Sequence, residues 1–315
     1  MTAVEHSPEA AETAPAEPAR QGRAAIARLS LAIVAISFTP VLFRQSELGP
    51  TATSFYRTLL AIPVFVIWYW IERRRERGVR KVAWLRDGPA LMLGGAVYAA
   101  NILAYAWAVH FTTVANASLL SNTTPIFVAL GSFLVFRDRV RLAFMLSMLA
   151  AIAGMIVLAW DKLGIDADRI LGAHQILGDG LGILSAVTFA AYLVVIGRLS
   201  PRLGSATIML WTGIVTAIGL LLGALAAGES LAAASLMGWA ALLGLGIVSY
   251  ALGQGLLTLA LAHVGAAFSA VALLSLPVSA AFYGWLLLGE PVTLNQGIGG
   301  AIILASILGA RLSRG

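Results

Sequence analysis

Charged positions in this chain are spaced so that long apolar stretches run between them. Ten such stretches stand out, at 27–46, 51–71, 88–109, 113–136, 141–160, 180–199, 205–227, 236–262, 266–289 and 293–312. Each is close to the ~20 residues that a helix needs to cross ~30 Å of hydrocarbon. None shows the strict alternation of a barrel strand, and all are rich in Ala, Leu and Gly, so the pattern predicts transmembrane helices. Residues 1–26 differ: they hold four glutamates among Ala and Pro, with no apolar run, and read as a disordered tail. The tail has neither the basic start nor the apolar core of a signal peptide. Apart from 72–87 and 161–179 the connections are short.

Composition agrees with a polytopic membrane protein. Charged residues make up 11% of the chain and the apolar set 59%. A soluble protein carries roughly 25% charged residues, because water must wet its surface. The net charge of +6 is explained by basic loops on one membrane face without invoking nucleic acid. With the N-terminus in the cytoplasm, 17 of the 21 basic residues fall inside, including Arg73–Arg75, Arg77, Arg80, Lys81, Arg86, Arg137, Arg139, Arg141, Arg198, Arg202, Arg311 and Arg314. Arg44, Lys162 and Arg169 fall outside, and Arg57 lies within a span. Asp166, Asp168, Asp179, Glu229 and Glu290 are among the acids that lean outward. An even number of spans returns the C-terminus to the cytoplasm, so the expected location is the cell inner (plasma) membrane with both termini cytoplasmic. No cysteine is present, which excludes disulfides and thiolate chemistry.

The chain repeats itself. Ala115–Pro125 (ANASLLSNTTP) parallels Ala267–Pro277 (AFSAVALLSLP), and an acid follows each proline thirteen residues on, at Asp138 and Glu290. One offset of 152 residues joins these landmarks. The expected organisation is a tail, 1–26, a first five-helix repeat, 27–160, an extracytoplasmic connection, 161–179, and a second repeat, 180–312. Because five is odd, the second repeat inserts upside down. Inverted repeats are the architecture of transporters, which open alternately to either side.

At these residues the chain resembles the EamA-type family of the drug/metabolite transporter superfamily. The resemblance is carried by Tyr56-Arg57-Thr58-Leu59-Leu60-Ala61, the two Ala-to-Pro stretches, and Leu288-Gly289-Glu290-Pro291, and it covers about 29–312. It implies two five-helix repeats and the export of small metabolites. The chain departs from the family at Phe136-Arg137-Asp138, where Leu-Gly-Glu is usual, and at Ser37-Phe38-Thr39-Pro40, where a Trp-Gly pair is common. The second departure falls on a helix expected to line the cavity, so no substrate carries over.

Arg57 is the one charge well inside a span. Burying it costs a few kcal/mol unless it is paired or hydrated. A structural or gating tie, for instance to Glu47, is the commoner use of such a charge, and direct contact with a substrate is the other. Polar side chains within spans give the expected substrate cavity: Ser37, Thr39, Tyr98, Asn101, Tyr105, Asn116, Asn122, Tyr192, Tyr250 and Gln254, with Ser118, Thr188 and Ser275 beside them. Tyr98, Asn101 and Tyr105 share one helix face, as do Tyr250 and Gln254. For the hydroxyls interhelical glue is the ordinary reading, and for Asn101 and Gln254 glue and cavity weigh equally. Pro40, Pro125 and Pro277 break backbone ladders within spans, as static kinks or as hinges. Gly178–Gly182 and Gly219–Gly223 read as close helix packing. His110 and His263 fall at opposite membrane faces and read as interfacial residues.

No catalytic motif, cofactor site or metal site is apparent, and no carboxylate lies inside a span. An intramembrane enzyme and a non-transporting receptor or scaffold are therefore the weaker alternatives to a secondary transporter. A buried carboxylate is the usual proton handle. The expected partners are thus the lipid bilayer and a small molecule, an amino acid or other carboxylate-bearing metabolite, moved mainly down its own gradient.

Overall fold

The computed structural model describes residues 16–43, 45–75, 82–112, 114–136, 141–163, 173–288 and 291–312. Asp138, Gly289 and Glu290 lie outside the described residues, as do Arg44, Arg77, Arg80, Lys81, Arg137, Arg139, Arg169, Arg314, Asp166 and Asp168. The described chain is helical: α1 (Ala16–Ser37), α2 (Thr39–Phe43), α3 (Pro50–Leu59), α4 (Ile62–Arg75), α5 (Trp84–Phe111), α6 (Val114–Ser121), α7 (Thr124–Phe136) and α8 (Leu142–Leu163). There follow α9 (Ala173–Leu199), α10 (Ser205–Ala226), α11 (Leu236–Gly244), a π-helix (Leu245–Gln254), α12 (Gly255–Val264), α13 (Ala266–Leu273), α14 (Leu276–Leu288) and α15 (Leu294–Leu312).

Among the described residues, nine helical spans are long and apolar enough to cross a membrane, from Ala24–Phe43 to Ala266–Tyr283. They coincide with the first nine expected stretches. The tenth stretch is α15, of 19 residues; Asn295 and Gln296 at its start and Arg311 at its end dilute its apolar run. One expectation is corrected at the N-terminus. α1 begins at Ala16, so 16–26 is helix rather than disordered tail. Alanine, arginine and glutamine are good helix formers there.

Polarity is arranged for lipid. Large apolar side chains such as Leu93, Leu134, Leu146 and Leu222 face outward, while Thr53, Thr58, Thr216, Ser249 and Ser269 are buried. Most of these buried hydroxyls bond a carbonyl one turn back, as Thr58 does to Ser54 O at 3.0 Å. That satisfies them where no water is at hand.

Four spans are broken, and each break precedes a proline at the second residue of the next helix: Pro40, Pro63, Pro125 and Pro277. Proline cannot donate to the carbonyl four residues back and its ring collides with it. At two breaks the preceding threonine takes over that carbonyl. Thr39 Oγ1 donates to Ile36 O at 2.5 Å, and Thr124 Oγ1 to Ser121 O at 2.7 Å.

α5 packs along α9, α8 along α15, and α10 against α3, α4 and α5, while α1 lies on the π-helix and α12. The expected glycine packing is present. A Cβ on Gly219 would fall 2.9 Å from Ala99 Cβ, and one on Gly178 would fall 2.7 Å from Thr112 N, so α5 is approached at both places more closely than a side chain allows. α10 runs antiparallel to α3–α4. Its far end delivers Glu229, which accepts from Thr51 N at 3.3 Å and Ala52 N at 2.7 Å at the start of α3. At the other end, the Glu72 carboxylate of α4 occupies the space that a side chain on Gly204, the N-cap of α10, would fill. Each helix start is thus met by an acid from the end of its neighbour, as helix N-termini favour.

Candidate functional site

The broken helices surround a cavity of about 490 Å³. Along α5 its lining runs from Tyr98 to Val109, roughly 16 Å of helix at 1.5 Å per residue, so it reaches from mid-span to the end of α5. The same end holds Pro50, where α3 begins. Of the expected cavity residues, Thr39, Tyr98, Asn101, Tyr105, Asn122 and Gln254 line it, together with Arg57, Pro40 and Pro125.

Four others are corrected. Ser37 is buried in α1, donating to Ile33 O at 2.8 Å, with Leu276 O at 3.5 Å. Asn116 turns away from the cavity, toward Asp179 and Thr112 Oγ1. Tyr192 and Tyr250 are fully buried behind Tyr98, outside the lining. The physical reason is shared: a side chain on a helix in a bundle has several inward directions, and only some meet the cavity. Pro277 is also outside the lining, although its neighbours Leu274 and Leu276 are in it. Ser118 bonds the Tyr105 hydroxyl, Thr188 Oγ1 donates to Leu184 O at 2.7 Å, and Ser275 Oγ to Ala272 O at 2.7 Å, as glue. His110 and His263 are exposed at the C-terminal ends of α5 and α12.

Most polar groups on the wall already have partners. Asn101 Nδ2 donates to Ser185 O at 2.9 Å and Ser185 Oγ at 2.8 Å, which ties α5 to α9. Tyr105 and Ser118 share a hydrogen bond of 2.8 Å, and Asn122 Nδ2 donates to Ser118 O at 2.7 Å. For Asn101 the amide donor is therefore spent between helices, although the residue lines the cavity.

Arg57 is different. Its Cζ lies 5.4 Å over the Tyr250 ring, and its buried Nε has no hydrogen-bond partner among the described residues. Glu47 does not neutralise it. That carboxylate accepts from Ala234 N and Ser235 N, both at 3.0 Å, and from Ser235 Oγ at 2.6 Å. The Ser235 hydroxyl bond is the main reason that Glu47's carboxyl sits below the usual carboxylate range. These three bonds also hold Glu47 at φ 60°, a left-handed conformation that costs a non-glycine residue energy.

Behind the cavity is a stack of rings. Tyr98 stacks on Tyr192 at 4.4 Å and faces Tyr250 at 6.0 Å, and Phe65 meets Tyr250 edge-on at 5.8 Å. Gln254, buried at 4% exposure, bridges the two sides by donating from Nε2 to Tyr98 OH at 2.8 Å; its Oε1 has no partner. Tyr250 and Gln254 both belong to the π-helix, a rare form frequent at functional sites. The composition of that segment gave no sign of it. The offset of 152 residues does carry Tyr98 onto Tyr250, a signal in the sequence that marks this ring pair.

The sequence profile of the EamA-like transporter family matches residues 24–160 and again 176–312. The chain belongs to the EamA-like transporter family. A pseudopaline exporter, CntI, of Pseudomonas aeruginosa is 30% identical over 239 residues, covering 74% of this chain and 79% of that protein. An uncharacterized transporter of Archaeoglobus fulgidus is 27% identical, with 89% of this chain and 93% of its own length covered. YcbK of Bacillus subtilis, also an uncharacterized transporter, is 26% identical over 81% of each chain. A solved crystal structure superposes with a TM-score of 0.77 over 92% of this chain and 98% of its own, at 18% identity, which speaks to the fold alone. This EamA-family chain is therefore a multi-pass membrane transporter of a small molecule, not an enzyme.

Proposed function

We propose that this EamA-family protein is a secondary transporter, an exporter or facilitator, of small carboxylate-bearing metabolites such as amino acids. It works by alternating access of two inverted five-helix repeats, with α15 as the tenth span and both termini on the cytoplasmic side of the inner membrane. The observation that carries the substrate class is Arg57, a guanidinium on the cavity wall that no carboxylate of the described residues pairs with. At an effective dielectric of 20 such a charge attracts an anion 4 Å away by about 4 kcal/mol and repels a cation as strongly. The exporter direction draws on the name of the Pseudomonas relative.

Inversion is supported by packing. A Cβ on Gly95 would lie 2.7 Å from Thr212 O and 2.5 Å from Val215 Cβ; one on Gly246 would lie 3.3 Å from Arg57 O and 2.8 Å from Leu60 Cβ. The same carbonyl-and-Cβ pair thus presses on α5 from α10 and on the π-helix from α3. The reciprocal acids at the starts of α3 and α10 fit two halves running in opposite senses. Given the basic bias, the cavity opens to the outside and the tyrosine stack closes the cytoplasmic side.

Reconstitution into proteoliposomes tests the function. Flux should favour zwitterionic or anionic carboxylates over quaternary ammonium ions, and an imposed pH gradient should change it less than about twofold, since no acid of the described residues lines the cavity to carry a proton. Preference for cations, or strong acceleration by the gradient, would refute the proposal.

A further inference from the structure

The seam between α3–α4 and α10 is fastened at both ends, and in the same unusual way. A capping side chain ordinarily belongs to the N-cap residue itself, Ser, Thr, Asp or Asn. The N-caps of α3 and α10 are Gly49 and Gly204, and neither helix has such a cap. Their φ angles, −59° and −61°, suit any residue, so the backbone does not call for glycine. The crowding does. A Cβ on Gly49 would lie 2.7 Å from Glu229 Cγ, and one on Gly204 2.5 Å from Glu72 Cδ. Each helix start is therefore capped by the acid of the neighbouring helix, and only while the seam is closed. Beside Glu229, Tyr56 OH donates to Leu231 O at 2.7 Å, a further tie from α3 to the chain that follows α10.

The cavity keeps clear of α10, which contributes no lining residue. Another wall holds Asn122, Thr124 and Pro125 facing Ala270, Leu273 and Leu276. There α7 packs against α13 on the side closed by the tyrosine stack. Towards the open side α6 packs on α8 and α9, and α14 chiefly on α1. The helix breaks before Pro125 and Pro277 fall where the partners change. The α3–α4 and α10 pair has the same partners at both faces, and this wall does not.

On the alternating-access reading above, we propose that Glu72 and Glu229 pin a permanent hinge. The seam of α3–α4 with α10 stays shut at both faces through the whole cycle, and the closed side opens by parting α7 and α9 from α13. Parting the hinge seam at either face would strip a helix start of its cap.

The chain has no cysteine, so engineered thiol pairs test each seam in the full-length protein. Gly49→Cys with Glu229→Cys replaces the Glu229 pin by two thiols within disulfide reach. Gly197→Cys with Ala266→Cys places Cβ atoms 3.6 Å apart between α9 and α13. Counterflow of a 14C-labelled amino-acid mixture is measured in proteoliposomes. The oxidised 49–229 pair should carry within about twofold of wild type, and the reduced pair, which lacks the pin, about fivefold more slowly. The 197–266 pair should do the opposite, carrying when reduced and slowing about tenfold or more when oxidised. If the first pair does not fold, Glu72→Cys with Gly204→Cys, joined by a short bismaleimide, bridges the same seam at its other face. Loss of flux on bridging this seam, or a reduced pair as fast as wild type, overturns the inference. Amide hydrogen exchange repeats the comparison without a solute: bridging 49 to 229 should leave exchange in α12 and α13 unchanged, and bridging 197 to 266 should slow it. Slower exchange on bridging 49 to 229 overturns the hinge. A wild type that carries no amino acid instead overturns the substrate proposal, and the exchange comparison then decides the hinge alone.

Discussion

Replacing Arg57 by threonine should release the protein into its opposite-facing conformation. Thr212 presses on Gly95 as Arg57 presses on Gly246, which makes Thr212 the counterpart of Arg57 in the second half. The two sites differ sharply. Thr212 is buried, its hydroxyl donating to Ile208 O at 2.7 Å, whereas Arg57 stands on the cavity wall. On the proposed alternating access, exchange of conformations between the halves would bring Arg57 into surroundings like those of Thr212, a threonine-sized site closed from water. Bringing an arginine to the centre of a bilayer helix costs about 2.5–3.5 kcal/mol even by the lenient insertion scale. At about 1.4 kcal/mol per tenfold change, the charge would then hold the empty protein in its present conformation by roughly two orders of magnitude. If, as proposed, a substrate carboxylate sits on Arg57, it offsets that cost, and the loaded protein should turn over more readily than the empty one.

The chain has no cysteine, so single thiols report the equilibrium directly. Val109 lines the present cavity, and its counterpart at the offset of 152, Leu261, is buried. With Arg57 in place, the Val109→Cys thiol should react quickly with a membrane-impermeant maleimide and the Leu261→Cys thiol slowly. Adding Arg57→Thr should raise the Leu261→Cys rate by up to about 100-fold and lower that of Val109→Cys. Substrate should speed Leu261→Cys labelling when Arg57 is present and have little effect when it is absent. The reasoning fails if Leu261→Cys stays unreactive with Arg57→Thr while Val109→Cys still labels, because the fold is then intact and the charge sets no bias.

Two further outcomes follow from the hydrogen bonds. Asn101→Ala removes two donations to Ser185 and should lower unfolding stability by about 1–2 kcal/mol, with KM changed less than about threefold; a tenfold rise in KM at unchanged stability, measured by flux and thermal unfolding in detergent, would make Asn101 a substrate ligand instead. Glu47 has its pKa lowered in the fold, so its clip to Ser235 is fully present above the ordinary carboxylate range and is lost as pH falls through the lower folded value; on acidification below the ordinary carboxylate range the wild type should lose more thermal stability than Glu47→Gln, and equal losses would count against the clip.

Much of the architecture was legible because its causes are local. A span needs about 20 residues without charge, and the interruptions at Arg73–Arg75 or Arg198–Arg202 mark its ends wherever they occur. The breaks at Pro40, Pro125 and Pro277 follow from the ring itself, and Pro63, passed over in the sequence, obeys the same rule. What stayed hidden depends on partners far away in the chain. Glu47 is ten residues before Arg57 and looked like its counter-ion, but the better site for it is Ser235, 188 residues on, where three donors converge. The division between glue and cavity turned on Ser185 and Ser118, residues with no distinguishing pattern of their own. The π-helix was the least legible element, since Leu245–Gln254 has the composition of any apolar span. Its effect is nonetheless specific: it brings Tyr250 under Arg57 and Gln254 to the Tyr98 hydroxyl, while the α-helical α5 presents Tyr98 and Asn101. The two repeats thus meet the cavity with unlike groups, Arg57 from the first and Gln254 from the second.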